Sequence, residues 1–390
     1  MRRKICVVTG SRAEYGILKP LLDSIVKDNR LRLQIVAIGM HMSKEFGLTY
    51  KEIESDGFRI DRKVHTLVHS DTHAGISSSM ARSLEASAQA FESLCPDVVI
   101  LLGDRFDIFS AATSAYIAGI PIAHIHGGEV TEAVIDEAFR HSITKMSYIH
   151  FVSTDVYRRR VIQLGESPDR VFNVGALGVD NIKRSRLISR DEIERSINCG
   201  LGERNILATF HPATLEAETP RAQFKKVLSA LGEMRDVKLF FTKTSADSGG
   251  RSINRMIDRF VASRMDMAVS FKSLGRLRYL SLMSYMDGVI GNSSSGIIEA
   301  PSLRVGTVNI GDRQKGRVRA SSVIDCEVSQ ESIGGALKKL YSSSFQRSLS
   351  SVRNPYGNGG AADRIKKVLA GFVFPKEIKK AFYDIKVGRD

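Results

Sequence analysis

The chain reads as an α/β protein of two domains, each built on a parallel sheet with helices on both faces. Three observations predict this. Its 390 residues exceed what one ordinary core holds, since single domains usually run to roughly 100–200 residues. Short β-branched runs alternate with helical patterns from residue 4 to residue 174, as a parallel sheet requires. The alternation then starts afresh after a polar, Gly-containing stretch around residues 175–190. Expected domains are 1–178 and 179–371, with the tail 372–390 a helix packing back on the first.

Composition narrows the function classes. A hydrophobic fraction of 43% and a charged fraction of 26% are globular values and argue against long disorder. The basic start Met1-Arg2-Arg3-Lys4 precedes an apolar run too short for a secretion signal, and no segment nears the ~20 apolar residues of a spanning helix. A cytoplasmic protein without membrane insertion is expected. Cys6, Cys95, Cys199 and Cys326 lie far apart with no Cys-x-x-Cys spacing, so free thiols are expected. A net charge of +14 favours anionic partners: nucleic acid, a membrane surface or a phosphorylated small molecule. The cations are spread out, with short clusters at Arg158-Arg159-Arg160, Lys183–Arg186 and Lys376–Lys380. No aromatic stacking pattern lies beside them, which argues against nucleic acid.

Residues 4–9 form a β-branched run ended by Gly10, which predicts a buried parallel strand. Ile17, Leu18, Leu21, Leu22 and Ile25 then recur at helical spacing. The small-residue turn between leaves backbone N–H groups at a helix start, where the dipole favours an anion. Arg12 stands there as a fork-shaped cation suited to phosphate. A full G-x-G-x-x-G is missing, so no dinucleotide fold is inferred. A strand over 33–39 and a helix near 44–56 follow. His65, His69 and His73 have the spacing of a metal site on one helical face, but 69–75 reads as a turn and cap, and no metal is expected.

Helix 77–94 leads to strand 97–103, which ends in Gly103-Asp104-Arg105. Asp104 either caps the next helix, 106–118, or presents a carboxylate at the sheet edge. Gly119-Ile120-Pro121 turns into strand 121–126, which ends in His124-Ile125-His126-Gly127-Gly128-Glu129. On the following helix Asp136 and Arg140 are four apart and can pair, while Glu137 and His141 lie on the adjacent row. Acids and bases at a strand's carboxyl end mark where open α/β sheets place catalytic sites. The plainer alternative is a joint whose polar groups only cap and solvate. Strand 149–153, helix 154–164 and strand 171–174 complete the first series.

The second series opens with strand 205–210, ending in His211-Pro212, then helix 220–234 and strand 237–242. A small-residue loop containing Asp247 precedes another helix, followed by strand 267–271, helix 275–286 and strand 288–290. Gly291-Asn292-Ser293-Ser294-Ser295-Gly296 then opens a helix containing Glu299. Small side chains, hydroxyls and free N–H groups there suit a diphosphate, and a Ser-rich cap is the alternative. Strand 305–310 ends near Arg313, Lys315 and Arg317, whose charge favours bound phosphate or nucleotide. Helices near 331–342 and 360–371 and a basic tail follow.

Taken together, Thr9–Gly16, Gly103–Arg105, His124–Glu129, Ile135–Lys145, Phe210–Pro212, Gly291–Gly296 and Gly311–Gln314 resemble the hydrolysing UDP-N-acetylglucosamine 2-epimerases of sialic-acid synthesis, the NeuC type. The match runs in order over nearly the whole chain. It implies a GT-B-like pair of Rossmann-type domains with the nucleotide sugar in the cleft between them, a homodimer, and no metal, nicotinamide or other cofactor. It also implies the reaction: a base removes the C2 proton, UDP leaves C1 to give a glycal, and water adds to give N-acetylmannosamine for surface polysaccharide synthesis.

By matching positions, the resemblance makes Asp104, Asp136 and His211 acid/base candidates, with Glu137 positioning Asp136. Many relatives carry Glu where this chain has His126, so that role passes to His126 or to Glu129. For binding it implies Arg12 on the diphosphate, Ser293 and Ser294 on the phosphates, Glu299 on the ribose and Arg313 near the nucleotide. Asp247, Asn292 and Ser295 complete the expected substrate set, and Gly16 replaces a family serine, losing one side-chain contact. Competing readings are the same reaction on UDP-2,4-diacetamido-2,4,6-trideoxyglucose of the legionaminic acid pathway, a GT-B glycosyltransferase, and a non-catalytic nucleotide-sugar-binding protein.

Overall fold

Two all-parallel sheets carry the chain in a computed structural model that describes residues 2–70, 72–213, 215–244, 249–375 and 377–385. The first sheet holds β1 (Arg3–Thr9), β2 (Leu31–Ala37), β3 (Arg62–Lys63), β4 (Val98–Leu102), β5 (Ile122–Ile125), β6 (Ile149–Val152) and β7 (Val171–Asn173). The second holds β8 (Arg204–Thr209), β9 (Val237–Thr242), β10 (Ala268–Phe271), β11 (Gly288–Gly291), β12 (Gly306–Ile310) and β13 (Val323–Cys326). Their strand orders are β3-β2-β1-β4-β5-β6-β7 and β10-β9-β8-β11-β12-β13. In each sheet the order reverses at the first strand in sequence, between β1 and β4 and between β8 and β11. A crevice at the carboxyl ends of such a pair is where open α/β sheets take ligands.

Strand composition follows from burial on both faces. Ile5, Val7, Ile100 and Leu102 pack against Leu18, Leu21, Leu22 and Ile25 of helix Arg12–Val26. The alternate residues Cys6, Val8, Val99 and Leu101 pack against Ile108, Ala111 and Ala112 of helix Phe106–Ile117 on the other face. Since successive side chains point to opposite faces, a strand sandwiched by helices needs an unbroken apolar run. The second sheet repeats this, with Ile206, Ala208, Leu239 and Phe241 against Phe224, Leu231 and Ile257 on one face. Leu207, Phe240 and Val289 meet Ile193, Leu282 and Met283 on the other.

The chain divides into a unit of residues up to 129, 136–181 and from 356 onward, and a unit of 130–135 and 182–355. This differs from the expected boundaries at the C-terminal end, because helix Ala361–Gly371 belongs with the first sheet. Buried Asp180 explains the placement: its carboxylate accepts the N–H groups of Ala361 (2.9 Å) and Ala362 (2.8 Å), neutralising the helix's positive end. Ala361, Ala362, Ile365 and Leu369 then join the first core.

Beyond Phe372 the described residues form no helix, contrary to the helix expected over 372–390. Pro375 lacks an N–H to continue the ladder, and the segment is held by separate contacts. Lys380 Nζ donates to Glu166 (2.6 Å) and to the Ser147 carbonyl (2.7 Å), and the Tyr383 N–H donates to the Gly165 carbonyl (2.9 Å).

The polar stretch after 175 carries two helices, Leu177–Arg184 and Arg190–Ile197, which its composition concealed. The helix expected near 44–56 is only Tyr50–Ser55. No described helix is long and apolar enough to cross a membrane.

Candidate active site

Asp104, His126 and Glu137 lie at the carboxyl edge of the first sheet, where Asp136 opens the helix that carries Glu137 and Arg140. Pairing of β4 with β5 sets Leu102 opposite Ile125, and the Gly103 N–H donates to the Ile125 carbonyl (3.0 Å), so Asp104 and His126 leave neighbouring strands together. Arg105, not Asp104, occupies the cap of helix Phe106–Ile117. Asp104 instead meets the guanidinium of Arg140, which comes from helix Asp136–Met146.

Arg140 is the hub of this edge. It is 1% exposed, and its two terminal nitrogens bond the carboxylates of Asp104 and Glu137 and the carbonyl of Glu129 (2.8 Å). Burial alone would loosen its proton, but Asp104, Glu137 and Glu129 reverse this and raise its pKa, so it stays charged. Glu137 also accepts from His141 Nε2 (2.9 Å), so one carboxylate links a cation to an imidazole. Sequence reasoning singled out Arg140 only as a partner for Asp136. The i,i+3 spacing of Glu137 and Arg140 carried the missed signal.

Behind this edge, His124 is fully buried with Nε2 2.8 Å from the Gly103 carbonyl. Burial, with the like charges of His150 and Arg140, lowers its pKa to about 3 against the opposing pull of that carbonyl and of Asp104, so the ring is neutral. A neutral imidazole donating to Gly103 fixes the turn from which Asp104 projects.

The β1 turn contributes Arg12 as the first residue of its helix, with Ser11 as the cap. Gly16 lies buried within that helix and offers its carbonyl to Asn181 Nδ2 (2.8 Å). Beside Arg12 sits an acidic pair not singled out from sequence. Glu14 accepts the Gly10 N–H (2.8 Å) and lies with Asp107 around Arg105, whose Nε stands 3.6 Å and 3.7 Å from the two carboxylates. Burial and then Asp107 push the Glu14 pKa up to about 8. Any side chain at Gly10 would collide with the Asp107 carboxylate.

In the second unit, His211 after β8 and Asn292 after β11 meet at the other strand-order reversal. The Asn292 amide accepts the His211 N–H (2.7 Å) and donates to the His211 carbonyl (2.8 Å), so this buried side chain braces the two strand ends. His211 Nδ1 is 2.7 Å from Thr244 Oγ1, which leaves Nε2 as the ring's other polar atom. Gly291 has φ +132, and a side chain there would run into the Thr209 carbonyl. Ser293 caps the short helix Ser294–Ile298, Ser295 Oγ accepts from Tyr279 (3.0 Å), and Arg313 donates to the Asn292 carbonyl (2.9 Å). Glu299 lies one residue past that helix rather than inside it, because Pro301 breaks the α ladder and a 3₁₀ turn follows. Asp247 lies outside the described residues.

Among the described residues no group of three or more His, Cys, Asp and Glu side chains could hold a metal. His69 is exposed near Glu45, and His73 only begins helix His73–Leu94.

Fold and site together define a two-unit α/β protein of the GT-B-like class, with ionisable side chains at the carboxyl edge of the first sheet and a serine-lined turn at that of the second. The family described as UDP-N-acetylglucosamine 2-epimerase matches residues 23–370, and the chain belongs to that family. A Campylobacter jejuni protein named GDP/UDP-N,N'-diacetylbacillosamine 2-epimerase (hydrolyzing) is 41% identical over 346 residues, 89% of each chain. The Escherichia coli polysialic acid biosynthesis protein P7 is 40% identical over 386 residues, 98% of each. The crystal structure of a Neisseria meningitidis UDP-GlcNAc 2-epimerase bound to UDP-GlcNAc superposes with a TM-score of 0.78 at 17% identity, over 94% of this chain and 99% of that one.

Proposed function

We propose that the protein is a hydrolysing epimerase that converts UDP-N-acetylglucosamine and water to UDP and N-acetylmannosamine. The observation that carries this is the Arg140-centred group of Asp104 and Glu137, beside His126 at a sheet edge, within a family of 2-epimerases. The C2 proton is weakly acidic, so its removal needs a positioned base, and such a group contributes about 10²–10⁴-fold. In elimination the C2–H pair becomes the C1=C2 bond while the C1–O pair leaves with UDP. In hydration, water oxygen joins C1 and C2 takes a proton from the face opposite the first. Inversion therefore asks for two proton-transfer groups, and Asp104, Asp136 and His211 are candidates in addition to His126.

Nucleotide binding is assigned to Arg12 for the diphosphate, Ser293 and Ser294 for phosphate oxygens, Glu299 for the ribose and Arg313 for the nucleotide region. Asn292 supports them by bracing the turn. The expected product feeds nonulosonate synthesis in the cytoplasm, and a homodimer is the expected assembly. A second reading, the same reaction on a UDP-2,4-diacetamido-trideoxy sugar, is favoured by the name of the Campylobacter relative.

The test is turnover without an acceptor. UDP and N-acetylmannosamine should appear, with one solvent deuteron at C2 when the reaction runs in D₂O. Turnover of the diacetamido sugar alone would move the assignment to the second reading. Tight binding without UDP release from either would indicate a sensor, and product lacking deuterium would sink the proton-abstraction chemistry.

A further inference from the structure

We propose that His126 is the C2 base of this reaction, acting through Nε2, and that Glu129 and Ser153 position it. The inference rests on the epimerase reading and deepens it. Three features of the chain support it.

The first is backbone. His126 has φ +69, in the left-handed region that a residue with a Cβ enters only at a cost in strain. Its N–H nonetheless stays on the sheet, donating to the Phe151 carbonyl (2.9 Å), so the chain turns sharply at this residue while remaining anchored. Such geometry persists only where the surroundings over-determine it.

The second is the ring's environment. Nδ1 stands 3.1 Å from Glu129 Oε1, and the same oxygen accepts the Ser153 hydroxyl (3.0 Å). Glu129 is 1% exposed, and its own carbonyl is held by Arg140. A carboxylate can only accept, so the proton of a neutral ring sits on Nδ1 and the lone pair on Nε2. Nε2 is buried and has no hydrogen-bond partner among the described residues. A buried polar atom without a partner in a fully braced side chain calls for a functional explanation.

The third is place. Asp104 leaves the neighbouring strand end and is already bound to Arg140, and Arg160 holds the Gly128 carbonyl of the same turn (2.6 Å). Glu129 is thus the charged group at the ring itself, while Arg140 from helix Asp136–Met146 and Arg160 from helix Asp155–Gln163 hold backbone carbonyls of the same turn and Asp104 after β4 is bound to Arg140. In the step assigned here, Nε2 takes the C2 proton as the C1–O pair departs with UDP. A group on the opposite face supplies the proton that C2 regains on hydration, and the imidazolium returns its own proton to solvent. Glu129, enclosed behind the ring, is therefore a positioning residue rather than the substitute for the family's glutamate.

The experiment compares wild type, H126N, H126E and E129Q for kcat, UDP affinity and the pH profile of kcat. H126N should lose about 10²–10⁴ in kcat with UDP affinity within about threefold, a split that a purely structural loss would not produce. H126E, which restores a carboxylate base, should regain part of the activity with its acid limb moved to lower pH. E129Q should lower kcat by at least about tenfold and shift the same limb. The role is overturned by H126N turning over within threefold of wild type, by an acid limb unmoved in H126E, or by E129Q behaving as wild type. Should H126N fail to fold, H126E and E129Q decide. Wild type inert with both UDP sugars is a different result, because it removes the reaction itself.

Discussion

Arg140 shows how much one side chain organises. It holds two carboxylates and a carbonyl at the sheet edge while almost wholly buried. Replacing it by methionine leaves Asp104 and Glu137 facing each other without their shared cation. Since those carboxylates are partly exposed, the loss should be roughly 3 kcal/mol in urea unfolding, at the low end for a broken buried pair. R140K should recover part of it, as charge without the fork geometry. An R140M midpoint equal to wild type would show that the carboxylates need no counter-charge. Glu14 makes a pH prediction. In the fold its proton is held up to about pH 8, whereas an unfolded glutamate releases it near the ordinary value of 4.5. Unfolding between these values therefore releases a proton, and stability falls as pH rises through that window. E14Q should flatten this fall, and identical pH slopes in the two proteins would contradict it.

At the scale of an element, helix Arg12–Val26 carries Pro20 in its interior. Proline has no N–H, so the carbonyl four residues earlier, on Gly16, loses its ladder partner. Asn181 Nδ2 takes that carbonyl (2.8 Å) and so ties the helix to Leu177–Arg184. N181A should cost about 1–3 kcal/mol by stranding a buried acceptor. In a P20A background, where the ladder bond can form, the same change should cost clearly less, and a double-mutant cycle measures the coupling. Strict additivity would mean that Asn181 does not compensate for Pro20.

At the scale of the whole molecule, the first sheet is closed by chain from both ends of the sequence. Buried Glu166 binds His150 Nε2 (3.1 Å), Lys145 (2.6 Å) and Lys380 (2.6 Å), and Phe382 packs against Lys145. Burial pushes the Glu166 carboxyl up, but His150, Lys145 and Lys380 outweigh it and hold its pKa to about 2. Truncation after Phe374 removes Lys380, Phe382 and Tyr383 and opens this cluster. Amide exchange over β6 should then quicken by about tenfold or more, the ratio expected from losing one charged hydrogen bond of about 1.5–3 kcal/mol. The second unit, with its own core, should exchange as before. Unchanged exchange over β6 would show the tail to be a passive extension.

Fold class was legible in the sequence because a parallel strand buried on both faces must be an apolar run, and its helices must show the 3.6 period. The strand ends, the Gly-rich turns and the acids beside them could be read for the same local reason. Tertiary structure alone decided the rest. Helix Ala361–Gly371 resembles any amphipathic helix until Asp180 caps it onto the first sheet, and the two-residue strand β3 carries too few residues to show a period. Which carboxylate Arg140 would hold could not be read from a four-residue spacing, because Asp104 arrives from another strand. The enclosure of Glu129 behind His126 likewise came from hydrogen bonds with Ser153 and Arg140, residues distant in sequence. Local pattern determines which elements form, and only packing determines which polar atom among them is left without a partner.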